Sequence, residues 1–359
     1  MFNVENNQIY LMVLYASFFL FSIFLATVLN FLLFKFASTL GIRNDANNLI
    51  RWSNVAKPAL GGITFFIIYL IGLVFIRFFF DSQSSNNLML IGIFLSVIIA
   101  FTLGLFDDAY NTKPIIKFLT QILCGIILIA TGNYIKMFSS DFLNYSITLF
   151  WVVGIMNSIN MLDNMDAIAT IVALFILLLS LLRLFILGDF ADSNFLVIVG
   201  LVGALISFLF FNWHPSKMFM GDTGSQFLGI LLAIIGISFF WNGKDFYGNL
   251  LGIKQFFMVL IAFSLPIIDT TTVFIKRISK GKSPFIGGKD HTTHHLAYWG
   301  LSCSQVALVF AGISMISNIL VLTILFISHW ALIHTIVYSF YFICLFAVLF
   351  RIALMNRTD

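Results

Sequence analysis

Residues 88–108 read LMLIGIFLSVIIAFTLGLFDD. An uncharged run of this length carries a helix across a hydrocarbon core about 30 Å thick, and here it ends abruptly in two carboxylates. The same pattern fills the rest of the chain. Of 359 residues, 60% are apolar and only 9% are charged, 19 basic and 15 acidic, against about 25% charged in an ordinary soluble domain. Further apolar runs lie near 10–34, 59–80, 115–135, 146–162, 167–187, 194–211, 227–241, 255–275, 305–328 and 331–350. With 88–106 they predict a single all-α polytopic membrane domain over 1–359, with about 11 transmembrane helices.

Composition excludes other classes. Net charge is +4 and no basic run exceeds two residues, so neither disorder nor a nucleic-acid partner is expected. Cys124, Cys303 and Cys344 match no metal or redox spacing. The first apolar run is too long for a signal-peptide core and is preceded by Glu5 rather than Lys or Arg, so it is read as a retained span and no cleavable leader is expected.

The basic residues orient the chain. Lys35, Arg43, Arg51, Lys57, Lys113, Lys117, Lys217, Lys276, Arg277, Lys280, Lys282, Lys289, Arg351 and Arg357 fall on one side of the expected spans, and Arg77, Lys136, Arg183, Lys244 and Lys254 on the other. The positive-inside rule makes the larger set cytoplasmic, with the amino terminus outside and the carboxyl terminus inside. All five prolines lie in or near the cytoplasmic half. Irregular backbone at membrane depth needs protein or a water-filled cavity around it, so a site is expected on this side. The loops that would form it run at about 35–58, 107–117, 157–167, 212–226 and 276–304.

Four polar clusters interrupt these Ile, Leu and Phe-rich surroundings. Asp107 and Asp108 stand at the carboxyl end of a membrane helix, where the dipole is negative. Two anions there need a bound cation, or Lys113 and Lys117, to compensate them; the plainer alternative is a solvated loop start. In Asn160-Met161-Leu162-Asp163-Asn164-Met165-Asp166 the spacing puts Asn160, Asp163 and Asn164 on one face if the helix continues, a grouping of oxygen ligands and amide donors that suits a hard metal or a sugar nucleotide. Helix capping would explain one of these residues but hardly four. In Asn212-Trp213-His214-Pro215-Ser216-Lys217-Met218-Phe219-Met220-Gly221-Asp222-Thr223-Gly224-Ser225, Gly221 and Gly224 flank a small-residue turn into a helix whose amino terminus offers N–H groups to phosphate, with Asp222 able to hold a bridging metal; the plainer alternative is a capping turn. The segment from Lys276 to about Ser304 carries Lys276, Arg277, Lys280, Lys282, Lys289, His291, His294 and His295 and reads as an anion clamp. The positive-inside flank accounts for Lys276, Arg277 and Lys280, but not for three histidines within five residues. Gly61-Gly62 reads as a tight-packing pair, and Asp269 as a partner of Lys276 or Arg277.

In chain order, Gly61-Gly62, Asp107-Asp108, the Asn160–Asp166 segment, Phe219-Met220-Gly221-Asp222 and the histidine segment resemble the polyprenyl-phosphate N-acetylhexosamine-1-phosphate transferases. Pro266-Ile267-Ile268-Asp269-Thr270 and His294-His295-Leu296 followed by Gly300 bring the resemblance nearer to the UDP-N-acetylglucosamine branch than to the muramoyl-pentapeptide branch. Asn164 and Ala167 stand where that family usually has Gly, and Thr292 replaces the first histidine of His-x-His-His, with His291 displaced by one. The resemblance implies transfer of a sugar-1-phosphate from a UDP-sugar to undecaprenyl phosphate, with release of UMP, at the cytoplasmic face of a bacterial cytoplasmic membrane. It implies Mg²⁺, with Mn²⁺ as an alternative, held by Asn160 and Asp222. Asp107 or Asp108 would act on the lipid phosphate, and Asp163, Asn164, Asp166 and Phe219 would meet the nucleotide and sugar. Lys57, Lys117, His291, His294 and His295 would bind the substrates and offset charge. A second copy of the chain is a candidate partner. Muramoyl-pentapeptide transfer is the alternative within the family. A transporter is the rival outside it, disfavoured because the carboxylates gather at one surface rather than through the midplane.

Overall fold

The computed structural model describes residues 4–37, 57–79, 87–190, 192–249, 252–283 and 288–355. Arg43, Arg51, Arg357 and most of the expected loop at 35–58 lie outside the described residues. Thirteen α-helices are described: α1 (Val4–Lys35), α2 (Gly61–Phe79), α3 (Asn87–Tyr110), α4 (Pro114–Ala130), α5 (Asp141–Leu162), α6 (Ile168–Leu187), α7 (Ser193–Asn212), α8 (Gly221–Ile235), α9 (Ile253–Ala262), α10 (Ser264–Ser279), α11 (Thr292–Tyr298), α12 (Cys303–Leu325) and α13 (Leu332–Met355). Among the described residues there is no strand; a parallel bridge joins Ala59 and Phe219.

Nine of these segments are long and apolar enough to cross a membrane, with α8 continuing through a π-helical turn at Gly236–Trp241. The expected span at 255–275 is instead two helices, α9 and α10, bent by 74°. Pro266 in the first turn of α10 supplies no N–H and crowds the carbonyl of Ala262, while Phe263 leaves helical geometry at φ −104 and ψ 20. The pair counts as a tenth span if taken together, and α4, at 17 residues, is a shorter apolar helix. Some boundaries fall earlier than the apolar runs suggest. Helix α5 begins at Asp141 rather than 146, and α8 begins at Gly221 rather than 227, so Asp222–Ser225 are the first turn of a helix and not a preceding loop.

Helix α8 is the centre of the bundle. Every one of its residues is buried except Asp222, and it packs most extensively on α3 and α5, with α2 and α6 beyond them. Small residues permit this closeness: a Cβ on Gly62 would lie 2.2 Å from the Gly224 nitrogen, and one on Gly104 would lie 2.4 Å from the Asp222 carbonyl oxygen. The packing role expected for the Gly61-Gly62 pair is therefore present at Gly62. A buried amide network crosses the same core. Gln121 on α4 donates to Gln226 on α8 at 3.1 Å and accepts from Asn157 on α5 at 2.7 Å.

The connections gather at two opposite ends. At one end, Lys136 N and the Tyr134 carbonyl pair with the Asn242 side chain, Arg183 reaches the Lys244 carbonyl, and Lys254 reaches the Ile327 carbonyl. These are four of the five basic residues set apart by the charge pattern. The other end holds the start of α2, the end of α3, the α5–α6 and α7–α8 connections and α11.

Candidate functional site

The site is built around the first turn of α8. Gly221 enters it at φ +75, where a Cβ would lie 2.6 Å from an Asp108 carboxylate oxygen and 2.9 Å from the Ala59 carbonyl oxygen. Only glycine fits both that backbone and that space. Asp108, at the end of α3, accepts from Asp222 N at 2.9 Å, from Thr223 N at 2.8 Å and from Thr223 Oγ1 at 2.6 Å. It caps a neighbouring helix from across the bundle. The charge problem posed by the sequence is thus met partly by the positive end of α8 and not by lysines alone. The strand-like segment before α2 completes the enclosure, with Phe219 N donating to Pro58 O at 2.9 Å and Gly62 N to Met220 O at 3.0 Å.

Asp107 faces the other way. Its Oδ1 accepts from Thr112 N at 2.8 Å and Thr112 Oγ1 at 2.7 Å, and its Oδ2 forms an ion pair with Lys117 of α4. The Lys117 ammonium is 3.9 Å from Asp222 Oδ1, so two carboxylates from different helices flank one cation. Asn160, in the last turn of α5, donates to Asp222 and, at 2.8 Å, to Ser225 Oγ. Four of the expected site residues, Asp107, Lys117, Asn160 and Asp222, therefore meet in one place, with Asp108 immediately behind them.

Hard oxygen donors dominate this cluster. Among the described residues, no group of three or more His, Cys, Asp or Glu side chains is arranged to hold a metal. Two carboxylates with an amide and an ammonium nearby do fit Mg²⁺, which binds through one or two carboxylates and otherwise keeps water and substrate phosphate oxygens.

The shared helical face expected for Asn160, Asp163 and Asn164 does not form, because α5 ends at Leu162 and Asp163 is its C-cap, at φ −77 and ψ 43. The chain turns there and enters α6 through Ala167, a buried non-glycine residue at φ +68. The α7–α8 connection clamps this turn. Asn212 Oδ1 accepts from Ala167 N at 3.1 Å and Thr170 Oγ1 at 2.8 Å, while its amide donates to Met218 O at 3.1 Å. Asp166 accepts from Ser216 Oγ at 2.7 Å, from Ser216 N at 3.1 Å and from His214 Nδ1 at 2.7 Å. Burial alone would raise Asp166, but the bonds from Ser216 and His214 outweigh it and hold the carboxyl below its ordinary range. Lys57 donates to the same Ser216 hydroxyl at 2.9 Å and lies 5.1 Å from the Phe219 ring centroid.

The histidine segment is not an open clamp. His291, His294 and His295 are buried, as are Lys276 and Arg277. Asp269 pairs with neither Lys276 nor Arg277. It accepts from His291 Nδ1 at 2.8 Å, Thr292 N at 2.8 Å and Thr292 Oγ1 at 2.7 Å, fastening the start of α11 to α10. Arg277 makes a two-pronged contact with Asp290 at 2.8 and 2.6 Å, and Lys276 bonds His295 Nε2 and the Ala353 carbonyl. These basic residues are internal fasteners, not a solvated flank. Burial, with His291 nearby, pushes the His294 ring down to about 3, and burial beside Lys276 pushes His295 down to about 4. Helix α11 meets the α5–α6 turn at Asn164, whose Oδ1 accepts from the Thr293 hydroxyl at 2.6 Å.

Sequence reasoning gave no individual role to Thr112, Asn212, His214, Ser216, Thr223, Ser225 and Thr293. Each bonds a residue that was singled out, and hydroxyl and amide side chains beside helix ends were the signal that could have found them.

Residues 90–240 match the model of Glycosyl transferase family 4. The chain is 30% identical over 276 residues to the probable undecaprenyl-phosphate N-acetylglucosaminyl 1-phosphate transferase of Bacillus subtilis, covering 73% of this chain and 72% of that protein. It is 28% identical over 306 residues to the phospho-N-acetylmuramoyl-pentapeptide-transferase of Streptococcus pneumoniae, covering 77% and 86%.

Proposed function

The chain belongs to glycosyl transferase family 4, and from that premise we propose that it transfers N-acetylglucosamine-1-phosphate from UDP-N-acetylglucosamine to undecaprenyl phosphate, beginning a lipid-linked envelope glycan. A lipid phosphate oxygen attacks the sugar-bearing phosphorus of the donor, the bond from that phosphorus to the bridging oxygen breaks, and UMP departs. The observation that carries the reading is the meeting of Asp107, Lys117, Asn160 and Asp222 at the first turn of a central membrane helix.

Each group has work in such a transfer. Mg²⁺, or Mn²⁺ in its place, would be held by Asp222 and the side-chain oxygen of Asn160, where it would neutralise phosphate charge and polarise the phosphoryl group. Lys117 offsets the anionic charge that two phosphorylated reactants bring together. Asp107 orients the lipid phosphate through Lys117 and takes up any proton that phosphate retains. Asp108 holds the start of α8 so that Asp222 faces the site. Asp163 and Phe219 lie towards the nucleotide and sugar, and Asn164 ties that region to the histidine helix. We place the site at the cytoplasmic face of the bacterial cytoplasmic membrane, with eleven spans, the amino terminus outside and the carboxyl terminus inside. The charge distribution supports that orientation.

Muramoyl-pentapeptide transfer is the second reading, favoured by the Streptococcus pneumoniae relative, of which the match covers 86%. Incubating purified protein with Mg²⁺, undecaprenyl phosphate and a panel of UDP-sugars, then weighing the lipid product, separates the two. A product carrying N-acetylhexosamine-1-phosphate is expected; absence of any lipid pyrophosphate product would overturn both.

A further inference from the structure

Beneath the charged cluster lies a second, neutral layer. Lys117, Asn160 and Asp222 belong to α4, α5 and α8, and each of these helices carries an amide side chain one turn further from the site end. Gln121 follows Lys117 by four residues, Asn157 precedes Asn160 by three, and Gln226 follows Asp222 by four. Residues so spaced share a helix face. Gln121 and Gln226 are fully buried, and the three amides bond one another. Gln121 Nε2 donates to Gln226 Oε1 at 3.1 Å and to Asn157 Oδ1 at 3.4 Å, while Asn157 Nδ2 donates to Gln121 Oε1 at 2.7 Å. The neutral layer repeats the charged one, helix for helix.

Stability does not explain it. Among the described residues, no acceptor meets the buried Gln226 Nε2. An unpaired donor in such surroundings destabilises a fold, and an apolar side chain of the same length would not. What an amide adds is direction. Apolar side chains let packed helices slide and turn against each other at little cost, whereas a hydrogen bond between them fixes their relative height. That height matters one turn above, where Lys117 pairs with Asp107 and its ammonium stands 3.9 Å from Asp222 Oδ1. A shift of α4 by about 1 Å is enough to misplace a positioned group, either closing Lys117 onto Asp222 or drawing it away.

We infer that Gln121 and Gln226 are positioning residues for the transfer: their bond sets α4 against α8 so that the Lys117 ammonium stays beside Asp222 without closing on it. The inference rests on the transferase reading above and deepens it. Neither amide touches a substrate, and both act through the residues one turn above.

Methionine has the length of glutamine and no amide, so Gln226→Met, Gln121→Met and the double variant of the full-length protein test this. With UDP-N-acetylglucosamine and undecaprenyl phosphate, each should lower kcat by at least about fivefold, within the range of interhelical hydrogen bonds in membranes, while both KM values stay within about twofold. Unfolding midpoints should follow a different order. Gln226→Met should be no less stable than the wild type, because the orphaned donor is gone and Gln121 keeps its bonds to Asn157. Gln121→Met should be less stable, because it strands the whole Gln226 amide, and the double variant should regain that loss yet stay as slow as the slower single one. Unchanged kcat, a loss confined to KM, or a double variant that regains turnover together with its midpoint would overturn the inference. Acetic anhydride labelling of Lys117 without substrates, read by mass spectrometry, keeps the two questions apart. Gln226→Met should raise the labelling rate by at least about threefold, and a wild-type rate would overturn the inference. If the wild-type protein turns over no UDP-sugar, the transferase reading fails, and the labelling alone decides whether the amides position Lys117.

Discussion

Asp108 and Thr223, 115 residues apart, are joined by two hydrogen bonds, from the Thr223 amide at 2.8 Å and its hydroxyl at 2.6 Å to one carboxylate oxygen. Capping is normally local, by the residue that precedes the helix. Here the cap arrives from another helix, so the end of α3 and the start of α8 form as one unit.

Removing that cap should therefore cost stability as well as turnover. Asp108→Ala leaves two amide donors and a hydroxyl without their acceptor and should destabilise the protein by about 2–3 kcal/mol. Thr223→Val should cost about 1 kcal/mol. Thermal unfolding in detergent measures both, and an Asp108→Ala midpoint equal to that of the wild type would refute the capping role.

Asp107→Asn and Asp222→Asn are expected to behave differently from Asp108→Ala. Both should leave the protein folded and monodisperse while lowering UMP release by about a thousandfold. Retained turnover in both variants would remove the carboxylate pair from the chemistry.

Chelation gives an independent check. Treatment with EDTA should abolish UMP release by the wild-type protein, and Mg²⁺ or Mn²⁺ should restore it, because the donors at the first turn of α8 are hard oxygens. Undiminished turnover in EDTA would show that no divalent ion is needed.

Ala167 offers a stabilising change. A left-handed backbone costs any residue with a Cβ, and Ala167 adopts φ +68 while buried. Ala167→Gly should raise stability by about 0.5–1 kcal/mol even though glycine gains entropy in the unfolded chain. A lower unfolding midpoint would mean that the methyl group packs well enough to offset the strain.

Acid sensitivity follows from the buried histidines. Their ordinary value is 6.5, and the folded protein holds His294 at about 3 and His295 at about 4. Below pH 6.5 the unfolded chain takes up protons that the folded chain refuses, so stability is complete above 6.5 and is lost as the pH falls towards 4. Each ring contributes a slope of at most about 1.4 kcal/mol per pH unit across that window. Unfolding midpoints measured from pH 7.5 to 5 should fall, and His294→Gln should flatten the decline. A midpoint constant over this range would contradict the burial of neutral rings.

The long apolar runs were legible because a bilayer demands uninterrupted length, and each expected run holds a helix, although that at 115–135 ends at Ala130 and that at 255–275 is broken. Asp107, Asn160 and Asp222 were legible because polar residues are scarce in such surroundings. What the sequence hid was tertiary. The bend between α9 and α10 depends on how Pro266 meets the preceding turn, and the run at 255–275 continues through it without any change in polarity. The partners of Asp269 and Arg277 were misread because the nearest opposite charges in sequence lie on the same helix, whereas the actual partners come from the segment before α11. The placing of His214 on Asp166 spans 48 residues, a separation that no spacing rule links.

Helix α8 meets its neighbours on every side, whereas α1 and α13 are largely open to their surroundings. Shifts in lipid composition or bilayer thickness are consequently felt first by those outer helices, which can tilt or slide to accommodate them. The carboxylate of Asp222, mounted on an inner spindle that touches no acyl chain, is shielded from such adjustments and keeps its alignment as the membrane around it changes.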